Sequence, residues 1–410
     1  MASVVTAPAP PRSFTIALGA ITALGPFAID TYLSSLPSIG TEFGVPQGIT
    51  QLTLTGYLLA LGLGQFVSGP LTDAYGRRRP LLAGLALFVL GCLLAAAAPS
   101  MVVLIAARLV QGVAGSMIFV VALSSVGDRA KGDQATRLFA ALMVVAMTGP
   151  IIAPALGGVI EQFLGWRAVF VVLAALGVAA TALAFFVLPE SLPIADRAPM
   201  RLAPVLVIYG RLLTRGRFLL PWAAMSVAFI FLFSYIGGAS YVYQGHYGLK
   251  QAEFGLVFGL TGVSALLGAL AAHFLAHRLS TGRLAVLGAA VTFSGTAITL
   301  GAAWLDLPLA VVAAGIFVGI IGISSLEAAL MSICMMAADD NRGSASGLIG
   351  AAQYLLGAAA TAVVAVVAVR SAEAWATLMF VSAGLCLILT LATVLSNRGS
   401  DRVPSGPISG

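Results

Sequence analysis

The chain is dominated by uninterrupted apolar stretches of about twenty residues, set apart by short segments rich in Gly, Pro and charge. Such a stretch crosses the bilayer core as an α-helix, whereas a barrel strand would be about ten residues long with alternating polarity. In lipid every backbone N–H and C=O must be paired within the structure, and continuous apolar runs achieve that as helices. With the Gly, Pro and charged breaks as punctuation, spans fall near 14–36, 50–71, 80–98, 101–123, 137–160 and 167–188, then 218–240, 253–276, 283–304, 308–331, 344–369 and 375–396. The expected fold is an all-α integral membrane protein of twelve transmembrane helices.

Composition narrows the function classes. The 410 residues are 60% hydrophobic and 9% charged, against about 25% charged in an average soluble domain. This excludes a cytosolic multidomain enzyme, a secreted disulfide scaffold, a nucleic-acid binder and a disordered tail protein. Cys92, Cys334 and Cys386 each lie in apolar runs with no CxxC or His-rich neighbourhood, so they read as small core residues, with no disulfide and no metal site implied. The opening Ala/Pro-rich stretch to Ser13 leads into an apolar segment that is too long for a signal-peptide core and lacks an obvious cleavage site, and that segment is expected to be retained as the first span.

The net charge of +6 is explained by topology. With the N-terminus in the cytoplasm, 17 of the 21 Lys and Arg residues fall in inside segments; Arg167, Lys250 and Arg370 fall outside and Arg108 lies within a span. That asymmetry places both termini in the cytoplasm. The long inside loop carries Pro and Arg residues with Glu190 and Asp196, and divides six spans from six. The expected organisation is a tail 1–13, a six-helix bundle 14–188, a central loop 189–217, a second six-helix bundle 218–396 and a tail 397–410. Parallel six-span halves around a midplane site are a transporter architecture.

Three motifs stand out. Gly69-Pro70-Leu71-Thr72-Asp73-Ala74-Tyr75-Gly76-Arg77-Arg78-Arg79-Pro80 puts an acid and three guanidiniums into one tight turn after the second span. Leu104-Ile105-Ala106-Ala107-Arg108-Leu109-Val110-Gln111-Gly112 places a guanidinium at membrane depth, where it must face a cavity or a partner. Gly149-Pro150-Ile151-Ile152-Ala153-Pro154-Ala155-Leu156-Gly157-Gly158 thins and bends the fifth span.

The first motif resembles the signature loop of the major facilitator superfamily. There the acid interacts with helix ends and with an arginine of the facing bundle, and the contact breaks when access switches sides. The resemblance implies a gate in which Gly69 permits close packing, Asp73 sits at a helix N-terminus, Gly76 belongs to the turn and Arg77 completes the charge network. The second motif resembles the one whose arginine is associated with proton coupling in drug:proton antiporters. The third, through Gly149, Pro150, Pro154, Gly157 and Gly158, resembles the motif that separates antiporters from symporters. Asp30-Thr31-Tyr32-Leu33, Leu36-Pro37, Gln51-Leu52-Thr53-Leu54, Gly165-Trp166-Arg167 with Phe170, and Leu188-Pro189-Glu190-Ser191 extend the resemblance through the first half, to the Bcr/CflA subfamily of twelve-span drug:proton antiporters. The second half is similar more loosely, through 243–249 and Gly343-Ser344-Ala345-Ser346.

Besides Arg108, two carboxylates lie inside spans, Asp30 and Glu327. Burial disfavours a charged carboxylate and a nearby cation favours it, so an acid in a gated cavity can take up a proton on one side and release it on the other. Asp30, Arg108 and Glu327 are the expected proton-coupling residues. An interfacial cap remains open for Asp30, and for Glu327 structural pairing stands beside substrate or proton binding, because an acid there departs from the subfamily pattern. Glu161 and Glu253 read as solvated span ends, and His273 and His277 as interfacial. If the first, fourth, seventh and tenth helices line a cavity, as in the superfamily, then Tyr32, Gln111, Phe119, Tyr235 and Gln353 are the expected substrate contacts, with ring packing as the competing role for the aromatics.

The resulting expectation is a proton-coupled exporter of small amphipathic drugs, such as chloramphenicol-, florfenicol- or bicyclomycin-like compounds, working by alternating access in a bacterial inner membrane. An exporter of an endogenous metabolite, or a sugar or amino-acid facilitator, is the nearest alternative. An intramembrane enzyme would need a nucleophile–base pair or metal-ligand spacing inside spans, and a receptor a soluble output segment; neither is found. No G-x-x-x-x-G-K-[ST] loop occurs, so ATP is not the driver and no cofactor is expected. The expected partners are a small-molecule drug or metabolite, protons and the lipid bilayer, without nucleic acid, and the expected unit is a monomer.

Overall fold

The computed structural model describes residues 12–129, 133–200, 202–338, 342–367 and 371–400, and every element in them is helical. The tails 1–11 and 401–410, with Lys131, Arg201, Arg370 and Arg402 of the charge count, lie outside the described residues, as do the side chains of Arg12, Arg137, Arg342 and Arg398. The helices are α1 (Arg12–Asp30), α2 (Leu36–Phe43), α3 (Gln47–Tyr75), α4 (Arg78–Ala96), α5 (Met101–Arg129), α6 (Asp133–Leu164) and α7 (Trp166–Val187). They continue as α8 (Ala203–Leu213), α9 (Gly216–Ser240), α10 (Gln251–Leu275), α11 (Thr281–Trp304), α12 (Leu309–Ala337), α13 (Arg342–Val367) and α14 (Ala372–Ser400). Among the described residues eleven helical segments are long and apolar enough to cross a membrane. The predicted span 137–160 falls on α6, a helix of 32 residues with Pro150 and Pro154 inside it.

Three elements depart from the sequence reading. The first span, predicted as one run over 14–36, is broken: α1 stops at Asp30, a 3-10 turn covers Leu33–Ser35, and α2 follows. Pro37 supplies the reason, because its ring has no N–H to donate and clashes with the carbonyl four residues back, at Leu33. The seventh span, predicted to end at 240, continues as a π-helical segment, Tyr241–His246. Within the predicted central loop, Ala203–Leu213 forms the short apolar helix α8.

The chain forms two compact units. The first comprises Met1–Leu202, Phe233–Val263 and Gly350–Ala372, the second Ala203–Leu232, Ser264–Ile349 and Glu373–Gly410, so α9, α10 and α13 contribute to both. In the first unit α5 packs on α3 and α4, α4 on α7, and α1 on α6 and α7. In the second, α11 and α12 pack through small residues: a Cβ on Gly295 would stand 2.4 Å from the Gly319 nitrogen, and one on Gly322 2.4 Å from that of Thr292. Apolar side chains gain nothing by leaving lipid for one another, so close backbone approach of this kind is what holds membrane helices together.

Candidate functional site

Arg108, on α5, is fully buried in the first unit. Its Nη1 donates to Gln111 Oε1 at 2.7 Å, one helical turn on, and Gln111 Nε2 donates in turn to Cys92 Sγ of α4 at 2.9 Å. The guanidinium carbon lies 4.2 Å from the ring centre of Tyr32 and 4.4 Å from that of Tyr57, with Phe170 at 6.0 Å. The charge is therefore carried by aromatic faces and one amide, and Arg108 Nε and Nη2 have no hydrogen-bond partner among the described residues. Contact with aromatic faces is commoner for a guanidinium than for an ammonium, and only the guanidinium is planar.

Asp30 is the last residue of α1 and is 5% exposed. Two residues on, past the break, Tyr32 reaches the Arg108 cluster, and its hydroxyl lies 3.4 Å from Thr53 Oγ1 of α3. No ion pair holds the Asp30 carboxylate among the described residues. The first unit also contains the other expected contact residues. Tyr235 stacks on Phe258 with ring centres 5.1 Å apart, Phe119 meets Tyr354 edge-on at 6.4 Å, and Gln353 is buried next to Tyr354 in the chain. Glu327 lies on α12 in the second unit, half-buried.

The fifth-span motif forms a seam in the first unit. A Cβ on Gly149 would stand 2.6 Å from Pro26 Cβ, and one on Gly157 would overlap the carbonyl of Thr31, at the break in the first span. Gly158 lies against the Gln251 carbonyl, while Gly255, Gly259 and Gly262 of α10 approach the Pro154 and Ile151 backbone in the same way. The glycines of α10 went unremarked in the sequence, although Gly255 and Gly259 have small-x-x-x-small spacing. This seam also corrects the reading of Glu161 as a solvated end: it is buried, and Ser35 Oγ donates to its Oε2 at 2.7 Å.

The Asp73 loop is a dense ionic turn. Arg77 Nη1 donates to Asp73 Oδ1 at 2.5 Å and Thr72 Oγ1 at 2.9 Å, and Nε to Asp128 Oδ2 at 3.0 Å. Burial would lower the pKa of Arg77, but the bonds to Asp128 and Asp73 outweigh it and hold the value above the ordinary one. The Glu190 carboxylate accepts from the backbone nitrogens of Arg77, Arg78, Ser191 and Leu192. Burial pushes Glu190 up, yet those N–H groups prevail and keep it below its usual range. Gly76, at φ 85°, is required here, since a Cβ would lie 2.5 Å from Glu190 Oε2.

Three details of the expected gate differ. Asp73 sits in the last turn of α3, at a helix C-terminus, and is held by Arg77. A Cβ on Gly69 would meet no other described element within 4 Å, so the close approach in this loop is at Gly76. Asp128 and Glu190, neither chosen from the sequence as site residues, supply the loop's remaining anionic partners.

The sequence profile of the Major Facilitator Superfamily matches residues 18–362. The chain belongs to the major facilitator superfamily. It is 34% identical to an uncharacterized MFS-type transporter, YdgK, of Bacillus subtilis over 83% of this chain and 85% of that one. It is 29% identical to a bicyclomycin resistance protein homolog of Haemophilus influenzae over 92% and 94%, and 30% identical to a chloramphenicol resistance protein of Pseudomonas aeruginosa over 59% and 57%. Among solved structures, the xylose transporter XylE from E. coli superposes with a TM-score of 0.72 at 14% identity, covering 97% of this chain and 99% of that one. The peptide transporter POT does so with 0.76 at 14% identity over 96% and 97%.

As a major facilitator protein the chain is a multi-pass membrane transporter of the secondary class and not an enzyme. The residues that sequence reasoning left out are those contributed by distant segments. Tyr57 came from a span with no charge to mark it, and Cys92 from a run where it read as filler. Glu190 did carry a signal, since it stood in the segment Leu188-Pro189-Glu190-Ser191, next to Pro189 at the start of the central loop.

Proposed function

We propose that this transporter exports small amphipathic drugs, of the chloramphenicol, florfenicol or bicyclomycin kind, from the cytoplasm across a bacterial inner membrane in exchange for protons. The observation that carries the reading is the buried Asp30 carboxyl at the break in the first span, without an ion-pair partner among the described residues and two residues from Tyr32, which stacks on Arg108. Such a carboxyl can bind a proton when the site faces one side and release it when the site faces the other. The Arg108 guanidinium, with two nitrogens unpartnered among the described residues, supplies the fixed positive charge against which the released form is balanced. The relatives named for bicyclomycin and chloramphenicol resistance support the substrate class, and the glycine and proline seam around Gly157 supports exchange.

In this reading Asp73, Gly76 and Arg77 form a gate at the cytoplasmic ends of the helices, and a charge moved through the membrane is worth about 2.3 kcal/mol per 100 mV. Tyr32, Gln111, Phe119, Tyr235 and Gln353 contact the drug, Glu327 is the second carboxylate in reserve, and the protein works as a monomer without a cofactor. The test is drug uptake into everted vesicles driven by an imposed pH gradient, with a panel of the three drugs. Uptake that a protonophore abolishes is expected; a panel with no uptake under any gradient would point instead to a dedicated metabolite exporter.

A further inference from the structure

The end of α10 and its turn into α11 form a basic, exposed feature that the transport reading does not use. A furrow of about 340 Å³ runs between α10, α11 and α12, lined by Ala272, Ala276, Leu279, Leu284, Ala329 and Ser332 together with His273. A second hollow of about 460 Å³ lies against Phe274, Leu275, His277 and Arg278 on the same helix end. Arg283 stands two residues into α11 and is exposed, as are Arg278, His273 and His277. The guanidiniums of Arg278 and Arg283 make no ion pair or side-chain hydrogen bond among the described residues. The two imidazoles, one helical turn apart, meet each other at 5.7 Å.

The acids complete the picture by their position. Among the described residues from 264 to 338 only Asp306 and Glu327 are acidic, Asp339 and Asp340 lying outside the described residues; Asp306 follows the far end of α11, and Glu327 is already engaged by another group of the protein. A mostly apolar furrow with His273 in its wall, ending at a turn whose two guanidiniums have no ion-pair partner among the described residues, has the polarity of a lipid, tail between the helices and anion at the turn. Basic pockets between membrane helices bind anionic headgroups in this manner. A loop that merely obeys the positive-inside asymmetry needs no furrow beside it.

We infer that this furrow is a site for an anionic phospholipid, its phosphate held over Arg278 and Arg283 and one acyl chain laid between α10 and α12. The test measures the thermal midpoint of the full-length protein in detergent with added phosphatidylglycerol, phosphatidylcholine of the same chains, or inorganic phosphate. Wild type is expected to gain a larger shift from phosphatidylglycerol than from phosphatidylcholine, and none from inorganic phosphate. That excess is expected to vanish in Arg278→Gln/Arg283→Gln and in Ala276→Phe, which fills the furrow from an exposed position, and to survive in Arg211→Gln/Arg217→Gln. Unchanged midpoints in phosphatidylcholine would show that the variants are folded. An excess retained by both furrow variants, lost equally in the Arg211/Arg217 control, or reproduced by inorganic phosphate would overturn the site.

Discussion

Arg108 shows what one residue can announce and what it cannot. A guanidinium inside an apolar run must be engaged, and that much was legible from Leu104 to Gly112 alone. How it is engaged depends on Tyr32, Tyr57 and Cys92, which come from other helices and which no local pattern links to it. The geometry predicts that Arg108→Lys, keeping the charge but losing the planar guanidinium between the Tyr32 and Tyr57 rings, destabilises the protein by about 2 kcal/mol, read as the unfolding midpoint in detergent. Tyr57→Leu should lose stability in the same direction. Tyr57→Phe keeps the ring and removes a hydroxyl that has no partner among the described residues, so it should leave the midpoint nearly unchanged.

At the scale of elements the Gly-rich seam and the loop before α4 make different predictions for similar substitutions. Gly157→Ala forces a methyl into the Thr31 carbonyl, and α1 and α6 must part, a cost of about 1–3 kcal/mol. Gly69→Ala meets no neighbouring element and should cost less than Gly157→Ala, what remains being the crowding of its Cβ by the ring of Pro70 that follows it in the helix. Equal losses in the two variants, by chemical unfolding, would contradict the contacts described. Glu190 gives a pH prediction. Its folded pKa lies below the ordinary 4.5, so its contribution is complete above about that value and is lost as the pH falls through the folded pKa. Glu190→Gln should therefore be less stable than wild type at neutral pH and show a flatter loss of stability below pH 4.5, followed by thermal unfolding across the acid range. The break in the first span and the π-helical end of the seventh escaped the sequence reading because the apolar run continues through both. They are set by Pro37 and by tertiary bonds such as Tyr241 Oη to the Gln47 carbonyl at 3.1 Å.

For the whole molecule, apolar run length announced the helices, because a lipid solvent leaves the backbone few choices. The assembly of α9, α10 and α13 into both compact units was not legible, since it rests on contacts between residues hundreds of positions apart, such as Thr55 Oγ1 with Thr361 Oγ1 at 2.9 Å. The arginine asymmetry predicts orientation: in intact cells a membrane-impermeant thiol reagent should label Ala97→Cys and spare Thr214→Cys, the three native cysteines being buried. The reverse pattern would invert the topology. Central to the account is the assignment of proton exchange to Asp30, and proton release from acid-loaded vesicles on drug addition, followed with a pH-sensitive dye for wild type and Asp30→Asn, tests it most directly. Release is expected for wild type with chloramphenicol, florfenicol or bicyclomycin, and none for Asp30→Asn although the variant still binds drug. Full release by Asp30→Asn would contradict it and move the coupling to Glu327.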